Sequence, residues 1–89
     1  MPILLSAINT ILQKEDVEGL IAQGAPHDEY AHEAKEIADA VMSLNQDQQT
    51  ETNVVAIISL VWAKSFNRSA EEIKKRIPTF QHIAQQLLG

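Results

Sequence analysis

Apolar residues recur along this chain at helical spacing almost from end to end. Ile3, Leu4, Ala7, Ile8, Ile11 and Leu12 predict an amphipathic helix over residues 3–14. Lys14 places its positive charge where a helix C-terminus favours it. Asp16 is expected to cap a short second helix running through Ala22 and Gln23, which Gly24 stops and Pro26 prevents from continuing. A third helix is expected from Asp28 or Glu29 to Leu44. Tyr30, Ala34, Ile37, Val41 and Leu44 form its buried stripe, and His32, Glu36, Asp39 and Ser43 its polar side.

Residues 45–50 (NQDQQT) carry no periodicity and read as a mobile loop, with Thr50, Thr52 or Asn53 able to cap the next helix. That helix contains the most hydrophobic run of the chain, Val54 to Ala63, and extends to about Phe66. Asn67 and Arg68 make a turn. Ser69-Ala70-Glu71-Glu72 then has the form of a capping box, with Ser69 and Glu72 serving each other's backbone. Pro78 removes one N–H and predicts a kink, or a split into residues 70–77 and 79–88; Phe80, Ile83, Ala84, Leu87 and Leu88 supply the core face. No strand alternation or internal repeat interrupts this pattern. The fold class is therefore all-α, a compact bundle of four to five helices in a single domain over residues 1–89.

Size and composition narrow the functions open to such a bundle. Eighty-nine residues suit one modest core, and no second catalytic domain is expected in them. With no cysteine, disulfides, thiolate metal sites and cysteine nucleophiles are excluded, and a reducing, cytoplasmic setting fits. The apolar start of the chain lacks a basic leader and is a poor signal peptide. The ten-residue run from Val54 falls short of the roughly 20 needed to span a bilayer, so no membrane is expected. Because that run is apolar all round, its helix should be central or covered by another chain, which makes a homodimer or a protein partner an expectation.

Charge is segregated along the sequence. Residues 15–51 hold ten acids and the single base Lys35, whereas residues 64–76 hold five bases against Glu71 and Glu72. A net charge of −5 and the expected lack of interleaved surface aromatics in the basic segment argue against nucleic acid.

Several groups remain as candidate chemistry. His27, Asp28, Glu29, His32, Glu33 and Glu36 are dense in imidazole and carboxylate, with Glu29, His32 and Glu36 spaced to share a helix surface. They can in principle hold a metal, but solubility alone explains a charged face turned away from the apolar stripe. His27, Asp28, Glu29, His32 and Glu36 are accordingly assigned as an interaction surface. The serines lack a nucleophile elbow, His82 is expected on the polar side of the last helix, and three scattered glycines build no phosphate loop. Trp62 and Phe66, one helical turn apart, are expected in the core. No cofactor is implied.

Two resemblances add to this reading. Glu15-x-x-Glu18 and Glu36-x-x-Asp39 resemble the paired acidic motifs of MazG-like all-helical nucleotide pyrophosphohydrolases, which would imply magnesium held by those four carboxylates. Here the first pair straddles an expected helix break. Asp16-Val17-Glu18-Gly19-Leu20, followed by Gly24-Ala25-Pro26-His27-Asp28-Glu29-Tyr30, resembles the D-P-x-G-L…G-A-P-x-D-E-Y pattern of the YugE-like family of small bacterial helical domains of unknown function. Val17 replaces the usual Pro, and Ala31 replaces an Asp that commonly follows the Tyr. The resemblance implies a helical bundle in a bacterial cytosol and no particular activity. The combined expectation is a non-enzymatic interaction or regulatory module; the alternative is the magnesium-dependent hydrolase.

Overall fold

The computed structural model describes residues 2–19, 22–24 and 30–88, with the side chains of residues 2–4 left aside. Four α-helices are present among them: α1 (Pro2–Glu15), α2 (Ala31–Met42), α3 (Glu51–Ser65) and α4 (Ala70–Leu88). No strand occurs among the described residues. Each helix packs on two others, α1 on α2 and α4, and α3 on α2 and α4, so the four close into a ring. The Cα radius of gyration is 12.2 Å, matching the roughly 12 Å of a compact chain of this length.

The core follows the apolar stripes. Ile8 and Leu12 come from α1, Tyr30, Ala34, Ile37, Ala38 and Val41 from the start and inner face of α2, Val54, Ile58, Val61 and Trp62 from α3, and Phe80, Ile83 and Ala84 from α4. Leu44 lies half-buried past the end of α2.

The short second helix does not form in the described part of its span, where residues 17–19 and 22–24 are turns. Asp16 is the reason. It takes a left-handed conformation (φ 44°) directly after α1, and Asp is one of the few residues that tolerates this. Its carboxylate is engaged in tertiary contacts described below. Gly19 (φ 70°) turns the chain again through its N–H to the Asp16 carbonyl, 2.8 Å, a backbone geometry that favours glycine.

Residues 46–48 form a 3₁₀ turn instead of a structureless loop. Polar side chains supply what the turn's backbone needs: the Asn45 N–H donates to Gln48 Oε1 (3.0 Å), and Asn53 Nδ2 donates to the Gln48 carbonyl (2.7 Å). Thr50 caps α3 by accepting the Asn53 N–H at 3.3 Å. α4 runs unbroken through Pro78, so the expected split does not occur. Pro78 lies on the exposed side, while Ile73 and Ile77 before it and Phe80, Ile83 and Ala84 after it hold both halves against the core.

The apolar helix α3 is not central. Its outer side leaves Ala56 and Leu60 in solvent, Leu60 72% exposed. No helix of the described residues is long and apolar enough to cross a membrane.

Candidate functional site

The residues singled out in the sequence separate into two regions. His27, Asp28 and Glu29 lie outside the described residues. His32 and Glu36 lie on the outer side of α2, with His32 Nε2 3.3 Å from Glu36 Oε1 and Lys64 Nζ of α3 reaching the same oxygen at 3.8 Å. Beside them Lys35 donates to Asp39 at 3.2 Å. Glu33 departs from this face: it is only 6% exposed, although the sequence placed it away from the apolar stripe. Spacing explains the correction, because position 33 follows Tyr30 by three residues and precedes Ile37 by four, which puts it on the buried side.

The four carboxylates of the magnesium reading do not converge. Glu15 accepts from Gln86 Nε2 (3.2 Å) and lies 3.3 Å from His82 Nε2 on α4; Glu36 and Asp39 pair on α2 and α3 as above; Glu18 is taken up elsewhere. No three His, Asp or Glu side chains gather in a metal-holding group among the described residues. The helix break between Glu15 and Glu18 separates their directions, and each carboxylate is bound by a different donor.

Glu18 is the centre of the second region, which the sequence did not reveal. Its side chain is 3% exposed, and four N–H groups converge on its carboxylate. Oε2 accepts from Trp62 Nε1 (2.6 Å) and Arg76 Nε (2.7 Å); Oε1 accepts from Arg76 Nη2 (3.1 Å) and Arg68 Nη2. The backbone around it is fixed as well. The Glu18 N–H donates to the Tyr30 hydroxyl (3.2 Å), that hydroxyl donates to Asp16 Oδ1 (2.7 Å), and Asp16 Oδ2 accepts the Ala22 N–H (2.9 Å).

Local structure aims each donor. α3 ends with Asn67 in the left-handed region (φ 51°), and the Arg68 N–H returns to the Ala63 carbonyl at 3.1 Å, a helix-ending turn that sets the direction of Arg68. The expected capping box forms at the start of α4, with Ser69 N–H to Glu72 Oε1 (3.1 Å) and Glu72 N–H to Ser69 Oγ (3.3 Å). Glu72 then orients both arginines. Its Oε2 accepts from Arg68 Nη1 (3.1 Å), and its carbonyl accepts from Arg76 Nη1 (3.0 Å).

Trp62 is held by packing. Its ring stacks on Tyr30 (centroids 5.8 Å, 22° between planes) and meets Phe66 at 4.9 Å and Phe80 at 5.7 Å. These four are all the aromatic side chains of the chain, and Arg68 and Arg76 are its only arginines. That uniqueness was the available signal. The separations of 44, 50 and 58 residues from Glu18 to Trp62, Arg68 and Arg76 hid it from any local pattern.

Burial pushes the Glu18 carboxyl upward, but hydrogen bonds from Arg76, Trp62 and Arg68 and the charge of Arg76 outweigh it, so its pKa lies below the ordinary carboxylate value. Glu18 is thus a buried carboxylate held in its charged form. Glu72 is also lowered, first by the Ser69 backbone N–H and hydroxyl and then by Arg68, with desolvation opposing. Comparison of the chain with protein-family models, with curated proteins and with solved structures returned no match.

Proposed function

We propose that this protein is a small cytoplasmic, non-enzymatic interaction or regulatory module, acting through a protein partner or a second copy of itself. The observation that carries the reading is Leu60, 72% exposed on the outer side of the most apolar helix, one turn before Lys64. Lys64 links across to Glu36, which His32 also contacts, and these two belong to the surface expected from the sequence. An apolar centre with a rim of exposed charges is the general anatomy of an interface. Within the acidic motif, Asp16 and Glu18 are committed to internal hydrogen bonds, which favours a folding role for them over catalysis.

Site-specific crosslinking tests this reading. A photo-reactive residue placed at Leu60 should yield an adduct of defined mass in the source cell, while the same residue at Gln85, exposed on α4, should yield none. Absence of the Leu60 adduct, together with magnesium-dependent turnover of nucleoside triphosphates that is lost in Glu36→Ala, would replace the interaction reading with the hydrolase.

A further inference from the structure

We infer that Arg68, the fork of Arg76 and the Trp62 indole N–H form a carboxylate-binding site, one that the protein keeps occupied with its own Glu18 and that accepts an external carboxylate when Glu18 is withdrawn. The stoichiometry of donors carries this. Each oxygen of Glu18 receives two N–H groups, Arg68 Nη2 and Arg76 Nη2 on Oε1, Trp62 Nε1 and Arg76 Nε on Oε2. Four lone-pair sites are the acceptor capacity of a carboxylate, and the parallel Nε and Nη2 bonds of Arg76 match its planar edge.

The donors also have anchors other than Glu18. Arg76 Nη1 is tied to the Glu72 carbonyl, Arg68 Nη1 to the Glu72 carboxylate, and Glu72 to Ser69, while Trp62 is clamped by Tyr30, Phe66 and Phe80. Removal of the Glu18 side chain therefore leaves a preorganised receptor instead of a collapsed one. The guanidinium side chains, 32% exposed at Arg68 and 23% at Arg76, give a small anion access from solvent. A partner's Asp or Glu side chain, or a free monocarboxylate, has the chemistry to fill it.

The full chain carrying Glu18→Ala, titrated with acetate against chloride at matched ionic strength, tests the inference. The Trp62 indole N–H resonance should shift saturably with acetate and not with chloride. The folding equilibrium constant should rise about tenfold when acetate reaches about ten times its Kd. If the variant is unfolded in chloride, acetate should restore folding, which reads the same property. The wild-type indole should respond only at acetate concentrations at least about tenfold higher, because its own carboxylate competes at high effective concentration. Adding Arg76→Met to Glu18→Ala should abolish the response. A Glu18→Ala chain indifferent to acetate, a double variant that responds equally, or a wild type that responds at the same concentration as the variant would each overturn the inference.

Discussion

Two regions of this bundle contain similar side chains and use them in opposite ways. On the outer side of α2 and α3, Lys35 pairs with Asp39 and Lys64 with Glu36, which His32 also contacts, and these side chains, Glu36 excepted, are mostly in solvent. At the other region Glu18 is buried among two guanidiniums and an indole, with all four aromatic rings gathered alongside. Water screens the first set and leaves each pair little net energy. The second set is desolvated, so it stabilises only as a complete network and becomes costly when one member is lost.

The largest expected effect tests the buried region. Glu18→Ala should cost about 3 kcal/mol in urea unfolding at pH 7 in chloride, because it strips the acceptor from four N–H donors on three side chains at once. A loss no larger than that of an exposed acid would show the two regions to be energetically alike. The same carboxylate sets a pH dependence. Its pKa is lowered on folding from an ordinary 4.5, so its contribution is fully present above that value and disappears as pH falls through the lower folded value. Wild-type stability should therefore drop more steeply below about pH 4.5 than that of Glu18→Gln, which has no proton to take up there.

A middle-sized effect locates the boundary of the network. Tyr30→Phe keeps the buried ring but removes the hydroxyl that bridges the Glu18 N–H to Asp16. Its expected cost in the same assay is about 1–2 kcal/mol, the usual consequence of leaving a partly buried donor and acceptor unpaired. A neutral result would confine the energetics to the carboxylate and its cations. The smallest effect belongs to the outer face. Lys64→Ala removes the 3.8 Å pair to Glu36 and should change unfolding free energy by less than about 0.5 kcal/mol, with the remainder lost at high salt.

Much of the fold was legible because helices are written in local spacing. The stripe Tyr30, Ala34, Ile37 and Val41, the Thr50 cap and the Ser69–Glu72 capping box all concern residues within one or two turns of each other. Glu33 was misplaced despite the same spacing: the register that buried Ile37 also buried it, and its charge concealed the fact. The failures came where distant groups outbid local ones. Asp16 had the right chemistry for a helix cap, but the Tyr30 hydroxyl and the Ala22 N–H took its carboxylate in a chain turned by left-handed backbone. Pro78 had the right chemistry for a break, yet core contacts on both sides of it carried α4 through.

The amino-acid sequence alone determined the all-α class, where the main helices lie, and which side of α1, α2 and α4 turns inward, since hydrophobic burial is non-directional and periodicity is enough to aim it. Only the tertiary structure decided what the acidic residues do. A carboxylate's role depends on which donors reach its oxygens, and the donors for Glu18 stand 44, 50 and 58 residues away, on α3, α4 and the turn between them. Burial and hydrogen bonding made one acid the hub of the fold, while Glu36 and Asp39 stayed on the solvated face.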